Sequence, residues 1–186
     1  MGSIPTASTI LKMPKNVKII ILLFLSLLIS SIFIQTTENH ILLQVPFIKQ
    51  KDAYDCGISA LMSLLKWKNE QIQYDEVKKE IYSKQAKGTF PISMEIFLRK
   101  RKIPYKVVEN NPDAIIELLN QKIPSIALLK HGFGVISINH YYVIVGIKDD
   151  KVIVHNGLEP YKEISLELFK KKWSKSNYWL LYIQKS

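Results

Sequence analysis

Near its amino terminus the chain carries a long apolar run without charge. From Ile19 to Ile34 it reads IIILLFLSLLISSIFI, uncharged throughout and preceded by Lys12, Lys15 and Lys18. The run approaches the ~20 residues that cross a bilayer core, and Val17 with a snorkelling Lys18 extends it. It predicts a membrane-directed segment with the lysines holding the amino terminus in the cytoplasm and the rest of the chain outside. The joint that follows, Gln35-Thr36-Thr37-Glu38, lacks the small residues of a cleavage site, which favours a retained signal-anchor. Read from Met13, the same run follows Met-Pro-Lys-Asn-Val-Lys and makes a compact, removable signal.

Two hydrophobic periods divide the remainder. Ile41 to Ile48 is extended and broken by Pro46. Cys56 to Trp67 (CGISALMSLLKW) carries Ile58, Leu61, Met62 and Leu65 at helical spacing, with Asp55 as its cap. Charged helices follow over Asp75 to Tyr82 and from Ser93 through the cations Arg99-Lys-Arg-Lys102. A further helix starts at Pro112-Asp113 and runs to Gln121. From Ser125 the period becomes that of strands: Ser125 to Leu129, Tyr141 to Ile147, Val152 to Val154 and Tyr178 to Ile183, with Asp149-Asp150 as a hairpin turn. A last helix is expected over Glu163 to Trp173. Helices first and an antiparallel sheet after them make an α+β plan. The expected organisation is a basic amino-terminal region over 1–18, the apolar segment over 19–34, a linker over 35–43 and one domain over 44–184.

Composition narrows the partners. The formal charge of +10 favours anionic lipid, nucleic acid or an acidic substrate. No helix-turn-helix, zinc or aromatic RNA motif accompanies it, so nucleic acid is not expected. No G-x-x-x-x-G-K-[ST] loop occurs, so neither is ATP. A single cysteine excludes an internal disulfide and, with scattered histidines, gives no metal ligand set; no cofactor is expected.

That cysteine, Cys56, opens a helix, where free amide hydrogens and the helix dipole favour a thiolate and are expected to lower the thiol pKa. A lone cysteine beside Ala and Leu is more often a small core residue, so its company decides. Of His40, His131, His140 and His155, His140 begins a strand in Asn-His-Tyr-Tyr-Val-Ile-Val-Gly. A hairpin at Asp149-Asp150 returns Asn156 beside it, where an amide can accept the imidazole hydrogen. Gln50, six residues before Cys56, offers an amide donor to an oxyanion. His155 points to the opposite face by strand alternation; His131, in Lys-His-Gly-Phe-Gly, either borders a substrate groove or is an exposed loop histidine, the commoner case, and Tyr54 either lines the site or packs.

Gln50, Asp55-Cys56-Gly57 at a helix start, Lys87-Gly88-Thr89 before Met94 and Leu98, Pro124 to Leu128, His140-Tyr141 and Asn156-Gly157 together resemble the bacteriocin-processing, double-glycine-leader peptidases. These are family thirty-nine of the papain-like cysteine peptidases. The resemblance covers residues 44 to 184. It is strongest to a stand-alone exported bacterial subgroup whose members carry tetratricopeptide repeats. It implies a papain-like fold with Cys56 as nucleophile, His140 as general base, Asn156 as the residue that orients the histidine, and Gln50 in the oxyanion hole. Exporter members have Asp where this chain has Asn156, and an amide brings no charge to steady an imidazolium. The expected function is a thiol peptidase, membrane-anchored or exported, acting on a peptide or protein, with an accessory repeat or transporter protein as an expected partner. The alternatives are an inert papain-like domain that serves as an envelope-tethered binding module, and an electrostatic binder of anionic lipid or nucleic acid.

Overall fold

A computed structural model describes residues 14–32, 40–133 and 136–184, without the side chains of 25–32, 133, 136 and 137. The chain divides into two units, Met1–Glu38 and Asn39–Ser186. In the first, helix α1 (Lys15–Ile32) carries exposed Ile19, Ile20, Leu22, Leu23 and Phe24. Residues 33 and 34 of the expected apolar segment, and its side chains from 25 on, lie outside the described residues. Among the described residues no helix is long and apolar enough to cross a membrane.

The second unit begins with strand β1 (His40–Leu42), then helices α2 (Cys56–Trp67) and α3 (Tyr74–Ile81). The short hairpin β2 (Tyr82–Ser83) and β3 (Gly88–Thr89) leads into α4 (Pro91–Lys100). After β4 (Tyr105–Val108) and α5 (Ala114–Asn120) come β5 (Ser125–Phe133), β6 (Ile136–Lys148) and β7 (Lys151–His155). The unit closes with β8 (Lys162–Ser165), α6 (Leu166–Trp173), a 3-10 turn and β9 (Leu180–Ile183). The strands form an antiparallel sheet ordered β4-β9-β5-β6-β7-β8, with β1 pairing the far end of β6. The length of β6 is what centres it. Its first part pairs with β5, its last part with β1, and β7 runs along its other edge.

Helix α2 is buried from Cys56 through Leu65 on every side, because it packs on β6 and β5 and is covered by α3 and β3. That explains its sequence, apolar or small all round where a surface helix would keep one polar face. Gly57 meets β3 most closely. A Cβ there would stand 2.7 Å from Thr89 Cβ, so the start of α2 and the hairpin approach as near as a hydrogen atom permits. On α6, Phe169 and Trp173 are fully buried, and Trp173 Nε1 donates to the Trp179 carbonyl at 2.8 Å. Tyr142 meets Phe169 edge-on while its neighbour Tyr141 reaches Thr89, so the two β6 residues serve opposite faces of the sheet.

Several expected elements shift, each for a local reason. The helix expected from Ser93 starts at Pro91, whose fixed φ suits the first helical position; the Ser93 side chain makes no cap bond. Glu163 to Ser165 is strand, not helix, because it completes the ladder beside β7, with Lys151 opposite Ser165 and Ile153 opposite Glu163. Tyr178 lies outside β9 with Asn177, both in left-handed backbone conformation.

Candidate active site

Cys56 takes the first position of α2 and is nine-tenths buried. The preceding loop is not held by a cap bond from Asp55, contrary to the sequence expectation. The Asp55 side chain turns inward instead: its Oδ2 accepts from Lys78 Nζ at 2.8 Å and from Tyr74 OH at 3.1 Å. Lys78 also pairs with Asp52, so one cation on α3 clamps the loop at two carboxylates on either side of Ala53 and Tyr54.

Burial pushes the Cys56 thiol up, the largest influence on it. Main-chain hydrogen bonds from Tyr141, Gly57 and Cys56 itself pull the other way, and the negative charge of Asp55 adds to the rise. The helix start therefore acts as expected but is outweighed by desolvation.

His140 lines the same groove as Cys56, a hollow of about 560 Å³ bordered on its far side by the β2–β3 hairpin and the start of α4. Its Nε2 lies 2.7 Å from the main-chain carbonyl of Asn156. A carbonyl only accepts, so Nε2 carries the hydrogen and Nδ1 is left with a lone pair. Burial holds this imidazole below its ordinary pKa, and the Asn156 carbonyl offsets part of that shift. Both shifts favour uncharged partners, a neutral thiol and a neutral imidazole.

Asn156 comes beside His140 as the hairpin register implies, but through its main chain. Its side chain is committed to its own turn: Oδ1 accepts from Leu158 N at 2.9 Å and Glu159 N at 2.8 Å, and Nδ2 donates to Glu159 at 3.2 Å. The expected amide-to-imidazole bond is thus replaced by a carbonyl-to-imidazole bond, because the short side chain finds two amide hydrogens within its own turn.

Gln50 is stitched to the same corner, its N donating to the Gly157 carbonyl at 2.8 Å. One hydrogen of its side-chain amide goes to the Asp52 carbonyl at 3.0 Å. Its Oε1 is buried without a hydrogen-bond partner against Gly157, where a Cβ would stand 2.6 Å away. Gln50 is not among the residues lining the groove.

The other histidines separate clearly. His155 is buried, with Nε2 on the Val45 carbonyl at 3.0 Å and Nδ1 accepting from Tyr161 N at 3.2 Å, so neither nitrogen is open to chemistry. His131 sits on β5 rather than in a loop, with its ring 6.4 Å from that of His140. Its nitrogens meet Tyr142 OH at 3.2 Å and Lys172 Nζ at 3.3 Å. Among the described residues no group of three or more His, Cys, Asp or Glu is arranged to hold a metal ion. The hairpin wall of the groove, Ala86 to Phe90, was not marked by residue chemistry in the sequence; only Lys87-Gly88-Thr89 within the family resemblance pointed to it.

The model of the Peptidase C39 family matches residues 44–186. The chain belongs to that family. It is therefore a peptidase, a hydrolase of the cysteine class, and its α+β fold is the C39 papain-like one. The C39-like peptidase from Bacillus anthracis superposes with a TM-score of 0.65 at 12% identity, covering 80% of this chain and 100% of that one. The peptidase domain of Streptococcus ComA, a bifunctional ABC transporter of a quorum-sensing pathway, gives 0.61 at 18% identity over 74% and 97%. A double-glycine-motif protease from an AMS/PCAT transporter, solved with its leader peptide, gives 0.60 at 17% over 78% and 99%. No curated protein sequence matches the chain.

Proposed function

We propose that this C39 chain cleaves peptide bonds with Cys56 as nucleophile and His140 as general base. The observation that carries the reading is that both side chains line one groove, with the His140 tautomer set by the Asn156 carbonyl. In this reading Cys56 Sγ attacks the peptide carbonyl carbon, and the thiol proton passes to the lone pair on His140 Nδ1 as the C–S bond forms. The oxyanion takes the Cys56 main-chain N–H; the second donor is assigned to Gln50 on the family resemblance, since its amide keeps one hydrogen free of Asp52 although the residue stands outside the groove lining. His140 then gives its proton to the leaving amine as the C–N bond breaks, leaving a thioester. Water, deprotonated by the same nitrogen, releases the acid and restores the thiol.

Asn156 contributes its carbonyl rather than its amide, which keeps the neutral tautomer without supplying charge. A peptide segment in the groove is the substrate class, with the double-glycine leader of the transporter-borne relative as the model for it. The apolar run over 19–34 with its preceding lysines supports an anchored or exported enzyme whose peptidase domain lies outside the cytoplasm.

The test is the rate at which iodoacetamide modifies the single thiol from pH 4 to 9, in the natural chain and in His140→Ala, alongside cleavage of internally quenched peptides. A rate that His140→Ala lowers at neutral pH, together with peptide turnover lost in both Cys56→Ala and His140→Ala, is expected. Equal alkylation profiles with no turnover would leave the inert binding-module reading.

A further inference from the structure

Charge is distributed unevenly around the groove. Among the described residues its lining includes Lys87 and no carboxylate; beyond Lys87 and the imidazole of His140, the lining residues are uncharged. The acids closest along the nucleophile loop are already engaged, Asp52 and Asp55 by Lys78 and Asp75 by Lys51. Glu95 and Glu109 belong to an adjoining hollow, which Lys130 and Lys175 also line. Lys87 itself has no ion-pair or hydrogen-bond partner among the described residues, whereas the cations Lys151, Lys162 and Lys170 each hold an acid.

Its position is built. Lys87 has φ +46, a left-handed conformation that a lysine seldom adopts, immediately before the Gly88–Thr89 strand. The hairpin fixes it there through the pairs Tyr82 with Thr89 and Ser83 with Gly88, and through Ala86 N donating to Ser83 Oγ at 3.2 Å. Thr89 in turn is held by Tyr141 OH on its carbonyl at 2.9 Å. The backbone carrying the ammonium is thus tied to the β6 residue that follows His140.

From these observations we propose that Lys87 is a specificity-determining residue, selecting peptides that place a carboxylate within a few residues of the scissile bond. This rests on Cys56 being the nucleophile of the groove. An uncompensated cation at its wall attracts an acidic side chain and disfavours a basic one, and the lack of a lining carboxylate leaves nothing to reward a basic substrate.

The test uses the full chain and its one thiol. Iodoacetate and iodoacetamide differ in charge and little else, so their rate ratio at Cys56 reads the local potential while iodoacetamide controls for access. The ratio is expected to fall about threefold in Lys87→Asn, a residue that tolerates left-handed backbone, and to be kept in Lys87→Arg. It is also expected to converge between the natural chain and Lys87→Asn at about 0.5 M salt. A ratio unchanged across the three proteins overturns the proposal.

Quenched peptides carrying Glu, Gln or Lys in turn at each position around one bond give the second arm. Cleavage favouring Glu over Lys, reversed in Lys87→Glu, supports the selection; cleavage indifferent to that charge overturns it while the peptidase reading stands. If no peptide is cleaved the peptidase reading fails, and the selection falls with it, while the alkylation ratio still shows whether Lys87 sets the potential.

Discussion

Replacing Lys78 by Met isolates what holds the nucleophile loop. Asp55 is fully buried, and of its two oxygens only Oδ2 is paired, to Lys78 at 2.8 Å and Tyr74 at 3.1 Å; Oδ1 is buried without a partner. Removing one partner of a buried ion pair costs about 3–5 kcal/mol, since the remaining charge is left in low dielectric. Here the Lys78 side chain is 28% exposed, so water already screens part of the attraction, and Tyr74 keeps its bond. Those two facts reduce the expected loss to about 2–3 kcal/mol.

Urea unfolding followed by tryptophan fluorescence measures it, on Lys78→Met, Asp55→Asn and the double variant. Asp55→Asn is expected to lose about 1–2 kcal/mol, because an amide still accepts from Tyr74. The double variant should lose at least about 1 kcal/mol less than the two losses added, since no bare carboxylate remains. A coupling below about 0.5 kcal/mol would show that the pair does not hold the loop, and the account of Asp55 would be wrong.

Other expectations follow from single contacts. Gly57→Ala places a methyl group 2.7 Å from Thr89 Cβ and 2.9 Å from its Oγ1, and should lower stability by about 1–3 kcal/mol by thermal unfolding. An unchanged midpoint would mean that the hairpin does not press on α2. Asn156→Asp should keep thiol reactivity, because a carboxylate accepts the same two turn hydrogens and the carbonyl on His140 is main chain, while stability falls slightly as the bond from Nδ2 to Glu159 gives way to two facing carboxylates. A clear rise of peptide turnover in Asn156→Asp, from a carboxylate steadying the imidazolium, would restore the side-chain role that the sequence suggested. Gln50→Ala should cost on the order of 10²–10³ in kcat with little change in KM, and full activity would remove Gln50 from the oxyanion site.

Stability should also fall on acidification. Burial first, then the charges of Lys172, His140 and Lys175, hold His131 low, while burial is the main depressing influence on His140 and His155. The unfolded chain therefore takes up these protons near pH ~6.5 and the folded chain resists them. Their contribution is complete above that pH and is lost as pH falls through the lower folded values. A thermal midpoint that rises between pH 7.5 and pH 5 would contradict this.

The amino-acid pattern by itself determined α2 from end to end, the pairing of β6 with β7 about Asp149-Asp150, and the residues worth examining. These are local properties: helical spacing from Cys56 to Trp67, β-branched runs, and a turn of fixed length that brings residue 156 near residue 140. The resemblance to the family rested on the same spacing of short motifs, and the Peptidase C39 family model matches residues 44–186.

Tertiary structure decided what each group faces. Asp55 looked like a cap, but α3 brings a lysine from 23 residues away, and a charge-assisted bond to Lys78 is stronger than a neutral amide's. Glu163 to Ser165 had helical composition and became strand because β7 offered an unpaired edge. The thiol pKa turned on how much water remained around Cys56, a quantity set by β6, β3 and α4 together and written in no one segment. Asn156 showed the division most plainly: the hairpin length fixed its neighbour, and only the competition between its turn and the imidazole fixed which of its oxygens makes the bond.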